Sequence, residues 1–300
     1  MTLRNLQIFV TVAEYQNMTK AAEKLYISQP SVSMAISDIE REYDVVLFDR
    51  TGGKLFLTQT GQSLLGYAEQ ILNTKKQMDY FLRHESSNLC IRIGVTVTIG
   101  SSIFSSIIAE MKTVMPNVNY HVTVANTHII EDMLMKSTID IALVEGELKN
   151  ASLEVMPVIS DRLVAICSNV HPFHTRDTLK IEDLAGVPLI LRETQSGTRD
   201  YFEGVMQSHN IDYTVRWSSY SYGAIIDAVE HNLGVGIISE RLARKYSDNG
   251  KLHICNISNA NLDRSFKLVH RKNKQITDII LKFSEICGKT KYFDLDSDTT

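Results

Sequence analysis

The sequence predicts an α/β chain in three parts: a small helical module closed by a β-hairpin, one long helix, and a region of alternating strands and helices. Three observations lead there. Apolar residues recur at helical spacing between Leu6 and Ile39. A single run with spacings of four and three follows from Gly61 to His84. From Leu89 onward, short β-rich runs alternate with helical ones, the rhythm of a mostly parallel sheet with helices on its faces.

In the first part, Leu6, Phe9, Val10, Val12 and Ala13 mark one helix, and Ala21, Ala22, Leu25 and Tyr26 mark a second. Thr19 stands before Ala21 as a short polar cap for the second helix. The chain breaks at Ile27 to Pro30, where Ser28 can cap a third helix and Pro30 fits its first turn because its missing N–H costs nothing there. Val32, Ile36 and Ile39 then share an inward face, which leaves Gln29, Ser31, Ser33, Met34 and Ser37 outward. Short hydroxyls and an amide on one face suit a reader of the major groove, since they donate to and accept from base edges and phosphates. The plain alternative is a solvated surface helix; the preceding helix and tight turn weigh against it. Leu47 to Thr58 reads as a two-stranded wing, with Thr51, Gly52, Gly53 and Lys54 in the turn and Arg50 and Lys54 beside it, placed for phosphates or a minor groove.

Along the long helix, Leu64, Ala68, Ile71, Lys75, Met78 and Leu82 form a narrow seam, flanked by Leu65, Leu72 and Asp79. Such a seam suits pairing with a second copy, and the competing reading is an amphipathic helix packed on its own domain. His84 to Asn88 is the expected hinge.

These residues resemble the LysR-type transcriptional regulators. The match runs through Leu6 and Phe9, the Thr19, Ala21, Ala22, Leu25 series, Ser28-Gln29-Pro30-Ser31-Val32-Ser33, Ile36, Ile39-Glu40, Leu47-Phe48 with Arg50, and Leu57-Thr58 with Gly61. The resemblance implies a winged helix-turn-helix over residues 1–59, a linker and dimerisation helix with hinge over 60–88, and an effector domain over 89–300 with the architecture of periplasmic binding proteins. Its lobe I would take 89–160 and 261–300, and lobe II 161–260, with crossovers near Ser160 and Ala260. The candidate DNA contacts are then Thr19, Ser28, Gln29, Pro30, Ser31, Ser33, Met34, Ser37, Arg50 and Lys54. Met34 departs from the family, which often has a longer polar residue there. By the same resemblance four chains would form a dimer of dimers on double-stranded promoter DNA, with RNA polymerase a further candidate partner.

Within the third part, the expected strands are Leu89 to Val97, Val118 to Val124, Ile139 to Val144, Leu163 to Cys167, Pro188 to Leu191, Thr214 to Trp217, Val235 to Ile238 and Phe266 to Val269. The expected helices are Ile103 to Met115, Ile129 to Lys136, one after Ser196, Ala224 to Glu230 and Ile276 to Ile286. Ligands of such sheets sit beyond the carboxyl ends of the strands, where helix N-termini present free N–H groups. That places Thr98, Ser101, Ser102, Thr127 and Glu145 on one wall of a cleft, and Ser196, Gly197, Thr198, Arg199 and Ser221 on the other. Any one of these hydroxyls taken alone is better explained as a helix cap; their convergence is what suggests a site for a small anion.

The phrase Arg192-Glu193 with Ser196-Gly197-Thr198-Arg199, together with Ala142-Leu143-Val144-Glu145-Gly146, resembles a LysR subgroup that includes regulators of sulfur assimilation and carbon fixation. Gln195 stands where glycine is usual. A sulfur oxyanion or small carboxylate is the effector this implies. Arg199 either neutralises it or pairs with Glu193 or Asp200, and Glu145 repels it unless turned away.

Composition sets bounds. Three hundred residues with 44% hydrophobic content exceed one ordinary domain, and the net charge of −4 bears on little beyond solubility. Residues 1 to 60 carry six Lys/Arg against seven Asp/Glu, so one module should bind DNA weakly and need a partner on paired half-sites. No apolar run approaches the about 18 residues of a membrane-spanning helix, and Met1 leads straight into the first helix without a signal-like segment, so a cytoplasmic protein is expected. Cys90, Cys167, Cys255 and Cys287 are scattered without zinc spacing, and no metal or other cofactor is expected. His128, His171 and His174 make no persuasive catalytic constellation, so an enzyme is not expected. The competing class is a cytosolic small-ligand receptor whose N-terminal helices mediate protein contacts.

Overall fold

The structure is a computed structural model, and it describes residues 1–51, 54–83, 89–148, 150–247, 250 and 252–289. The expected hinge, His84 to Asn88, and the turn glycines Gly52 and Gly53 lie outside the described residues. The chain divides into two units, Met1–Ser87 with Met135–Thr138, and Asn88–Leu134 with Ile139–Thr300.

In the first unit, α1 (Leu3–Tyr15), α2 (Met18–Leu25) and α3 (Gln29–Tyr43) enclose a core of Leu6, Phe9, Val12, Ala21, Ala22, Val32, Ile36 and Ile39. Each buried aliphatic side chain stabilises by about 1.5–3 kcal/mol, so the inward face of α3 holds it against the other two helices. Polar side chains set the helix starts. Thr2 accepts from the Asn5 N–H, Asn17 from Lys20 and Ser28 from Ser31. The cap of α2 is therefore Asn17, and Thr19 lies exposed inside the helix. Asn17 wins because it sits one residue before the first helical residue, where its carboxamide oxygen reaches the N–H at the third position. Tyr26 is also corrected: it is the left-handed C-cap (φ 57°), fully turned to solvent, and not part of the inward row. Its N–H returns to the Glu23 carbonyl and that of Ile27 to Ala22, so α2 ends and α3 begins within three residues.

The wing is a hairpin of β1 (Phe48–Thr51) and β2 (Lys54–Leu57), antiparallel with Phe48 opposite Leu57. Phe48 packs on Phe9 with ring centroids 5.5 Å apart, which ties the wing to α1. Glu40 Oε1 accepts from the Leu47 N–H at 2.8 Å and so fixes the approach to the wing from α3. The long helix α4 (Gln59–Arg83) opens on Thr58, whose hydroxyl accepts from Gly61 N–H and donates to the Val46 carbonyl. A Cβ on Gly61 would come within 2.2 Å of the Leu47 carbonyl oxygen, so only glycine permits this contact.

The second unit is built on one ten-stranded sheet. Its elements are β3 (Leu89–Thr96), α5 (Val97–Ser102), α6 (Phe104–Val114), β4 (Val118–Ala125), α7 (Thr127–Met135), β5 (Ile141–Val144), β6 (Leu153–Ser168), β7 (Thr178–Leu179), β8 (Pro188–Arg192), α8 (Gly197–Ser208), β9 (Thr214–Ser219), α9 (Tyr222–Glu230), β10 (Val235–Ser239), α10 (Glu240–Ser247), β11 (Leu252–Ile257), β12 (Asp263–Arg271) and α11 (Asp278–Cys287). The main strand order is β4-β3-β5-β12-β6-β10-β8-β9. Parallel pairing holds at each flank, β3 with β4 and β5 at one and β8 with β10 and β9 at the other. The centre is antiparallel: β12 lies against β5 and β6, and β6 against β10 and β11. The sheet is thus mixed, because β6 pairs antiparallel with β12, β10 and β11, and β12 also with β5, so these two strands join the parallel flanks. Separate apolar clusters fill the lobes, one around Ile93, Ile107, Leu143 and Phe283 and one around Leu163, Leu191, Phe202 and Ile237. No helix among the described residues is long and apolar enough to cross a membrane.

Candidate functional site

The outward face of α3 is as the spacing predicts. Gln29, Pro30, Ser31, Met34 and Ser37 are exposed, and Ser33 is half-buried. Met34 retains 66% of its surface in solvent although it is apolar. Ser28 is exposed at the N-terminus, occupied with capping and with the Ser31 hydroxyl 2.8 Å away. The backbones of Arg50 and Lys54 lie on the wing strands, while their side chains are outside the described residues. In α4, Ala68 is buried and Leu64, Leu65 and Leu72 pack on the helical core, whereas Ile71, Met78 and Leu82 are exposed. Earlier turns of the long helix therefore pack on its own domain, and Ile71, Met78 and Leu82 remain exposed apolar side chains along it. Lys75 and Asp79 pair with each other along the helix.

The second candidate site lies where β3, β5, β8 and β10 end. Thr96 closes β3 and Thr98 follows in the short α5, because Val97-Thr98-Ile99 turns at once into helix. Glu145 follows β5, Arg192 ends β8, Gly197 and Thr198 open α8, and Tyr222 opens α9. Their side chains meet. Thr98 Oγ1 is 2.8 Å from the Tyr222 hydroxyl and 3.3 Å from Thr198 Oγ1. Arg264, from β12, donates to Thr198 Oγ1 at 3.0 Å and to Asp161 at 2.7 Å, and Asp161 also accepts from Ser239 at 2.6 Å. Arg192 is 1% exposed; it makes a two-point ion pair with Glu193 and lays its guanidinium 4.5 Å from the Tyr222 ring centroid.

Glu145 faces this cluster. It is 6% exposed and accepts from the hydroxyls of Thr96 and, at 2.7 Å, Thr98. Burial pushes its carboxyl up from the ordinary glutamate value, against the pull of Arg264, the Thr98 hydrogen bond and Arg192. Asp161 is ion-paired with Arg264 and Glu193 with Arg192, while among the described residues the side-chain hydrogen bonds of Glu145 come from hydroxyls and Arg264 and Arg192 act on it through their charge. Four donors buried here have no acceptor among the described residues: Arg192 Nη1, Arg264 Nη2, Thr127 Oγ1 and Ser196 Oγ. An orphaned buried donor of this kind marks a place for a ligand or water.

The remaining expected residues divide. Gly197 joins the walls directly, since a Cβ on it would stand 2.6 Å from Gly146 Cα and 3.0 Å from Thr127 Oγ1. Ser102 turns back to the Thr98 carbonyl, and Ser101 gives its own carbonyl to Lys245. Ser221 caps α9 and is exposed, the plain capping role. Arg199 Nε meets Glu203 at 2.7 Å and its Nη1 the Arg192 carbonyl. Gln195 is left-handed, φ 68°, which accounts for the usual glycine at that point. Arg264, Asp161, Thr96 and Tyr222 were not expected from spacing. An arginine inside a strand, far along the chain from the other wall, leaves no local pattern to read.

Comparison with known proteins identifies the two domains in which these residues lie. Residues 3–62 match the bacterial regulatory helix-turn-helix protein, lysR family, and residues 86–290 match the LysR substrate binding domain. The chain is 30% identical over 285 residues to the HTH-type transcriptional regulator CysL of Bacillus subtilis (strain 168), covering 92% of this chain and 95% of that protein. It is 29% identical to a probable RuBisCO transcriptional regulator of Cyanophora paradoxa, over 95% of this chain and 90% of that one. Both relatives fit the subgroup that the Arg192 to Arg199 phrase resembles. The fold is that of full-length CbnR, solved with its target DNA, at a TM-score of 0.67, 20% identity, and coverage of 96% of this chain and 99% of the other. A helix-turn-helix followed by a substrate-binding domain, matched over nearly the whole length, makes this chain a member of the LysR family of DNA-binding transcriptional regulators, and not an enzyme.

Proposed function

We propose that this regulator senses a small anionic effector, a sulfur oxyanion or a small carboxylate, in the cleft between its lobes. The observation that carries the reading is the set of four acceptor-less donors beside Thr98, Thr198 and Tyr222, two of them on guanidiniums. An oxyanion supplies the acceptors these groups lack. Thr98 and Thr127 come from one wall and Thr198 and Ser196 from the other, so a ligand that engages both changes the free energy of opening. Effector binding thereby shifts the angle between lobes and, through paired chains, the spacing at which the DNA modules meet their half-sites. The working form is a homodimer or homotetramer in the cytoplasm, acting on promoter DNA within reach of RNA polymerase.

Gln29, Pro30, Ser33 and Met34 would read base edges, with Thr19, Ser28, Ser31 and Ser37 around them, and Arg50 and Lys54 would hold phosphates. A gel-shift titration on DNA upstream of the protein's own gene tests this. Ser33→Ala and Arg50→Ala are expected to lose affinity with helix content unchanged, and Arg50→Ala to flatten the salt dependence by about one phosphate contact. Undiminished binding in both variants contradicts the assignment. For the cleft, Thr198→Val is expected to abolish the heat of anion binding while DNA binding without effector persists.

A further inference from the structure

The strands that join the two flanks of the sheet carry ion pairs on both faces. Where β6 pairs with β12, Asp161 lies opposite Arg264 and Arg162 opposite Asp263. Successive side chains of a strand point to opposite faces, so the first pair turns toward Thr198 and the second turns to the other side. On that side the segment from Asn256 to Asp263, which leads from β11 into β12, closes with Arg162 around a recess of about 570 Å³. A volume of that size suits a small molecule.

The walls of the recess are fixed by the protein's own bonds. Asn259 accepts from the Ile181 N–H and donates to Glu182, both at 2.8 Å, and Ser258 donates its N–H to the Leu179 carbonyl at 3.0 Å. The groups that face the recess are less fully used. Among the described residues the Asn256 side-chain amide makes no hydrogen bond, and Asn261 uses its Oδ1 on the Asp263 N–H while its Nδ2 has no acceptor. Asp263 gives one carboxylate oxygen to Arg162 at 2.6 Å, which leaves it a second.

The lining contains one cation and one anion, Arg162 and Asp263, already paired, so it offers no counter-charge to a charged ligand. Amides both donate and accept, and a carboxylate accepts. A hydroxyl also does both, so neighbouring hydroxyls on one small ring can serve Asn256, Asn261 and Asp263 together. Ile257 and Ala260, half-buried against the apolar cluster of Leu163 and Leu191, give the C–H face of such a ring an apolar floor. We propose that this recess binds a neutral polyhydroxylated ring, a monosaccharide or cyclitol, at a site separate from the cleft. The inference does not depend on the anion reading of the cleft. The two sites are nonetheless connected, since Asp263 precedes Arg264 on β12 and its carbonyl accepts from Tyr201 on α8, the helix that opens with Gly197 and Thr198.

Saturation-transfer difference NMR of the full-length protein with D-glucose and with myo-inositol, each titrated through the millimolar range, tests this. Transfer from the protein to at least one of the two is expected. Asn256→Ala removes a side chain that bonds to nothing else described, so the variant keeps its fold, and its affinity for that polyol is expected to fall about fivefold or more, the loss of one hydrogen bond. Thr198→Val, in the cleft, is expected to leave the transfer in place. Absence of transfer to both polyols in the unaltered protein overturns the proposal, and that measurement needs no variant. Unchanged affinity in Asn256→Ala overturns it as well, as does transfer that vanishes in Thr198→Val, which would put the polyol in the cleft. None of these results bears on whether the cleft binds an anion, so the two readings fall separately.

Discussion

At the scale of single residues, side chains acting through local geometry were the easiest to place from sequence. Ser28 caps α3 and Val32, Ile36 and Ile39 face inward because a helix repeats its face at every third or fourth residue, which spacing alone reveals. Met34 is the informative outward residue: if α3 reads bases as proposed, its solvent-exposed thioether amid serines would touch the methyl group of thymine. Met34→Gln is expected to relax the preference for thymine at one base pair of the half-site by about 1 kcal/mol, read by sequencing DNA selected by each protein. Retained thymine preference in the variant counts against that contact. Gln195 offers a test of backbone strain. Its φ of 68° suits glycine, so Gln195→Gly is expected to raise unfolding stability by about 1 kcal/mol in urea. The inward turn of Glu145 was not legible, because whether a carboxylate at a strand end faces a cleft depends on hydroxyls that arrive from β3 and α5.

At the scale of elements, the periodic helices and apolar strands were legible, and the departures have identifiable causes. β6 extends ten residues upstream of its expected start, since Pro157, Asp161 and Arg162 interrupt its apolar pattern, while β12 pairs with it along its length. The spacing carries the first strand to β-branched Val97 and starts the next helix at Ile103, whereas α5 already begins at Val97; α10 has no apolar stripe to read because its buried face includes Glu240 and Arg241. The junction between wing and long helix is tightly specified. Gly61→Ala must move α4 away from the Leu47 carbonyl and is expected to cost about 1–3 kcal/mol in a denaturant titration. Asp140, just before β5, accepts from Arg92 and from Lys274 at 2.6 Å. Burial opposes its charge, but these two cations prevail and hold its carboxyl at about 2, below the ordinary 3.8. A depressed carboxyl value means stability that is fully present above the ordinary value and lost as pH falls toward the depressed one. An acid titration of tertiary structure is therefore expected to show a loss on the order of 2 kcal/mol across that window, absent from Asp140→Asn. Identical acid profiles in the two proteins contradict the assignment.

At the scale of the whole molecule, charge decides how the regulator must work. Six basic residues against seven acidic ones in the first 60 leave a single DNA-reading module with little nonspecific attraction, which supports the proposal that several modules act together. The exposed Ile71, Met78 and Leu82 on the second half of α4 give a second copy a surface to cover. Charge substitution there, as in Leu82→Glu, is expected to weaken self-association and DNA binding in parallel. The claim on which the mechanism turns is that duplex binding requires paired chains. Sedimentation velocity of the full-length protein with a DNA fragment from upstream of its own gene measures this directly. At saturation the account predicts two or four chains per duplex and none of the complexes with one chain; a tight complex of a single chain with that duplex would contradict it.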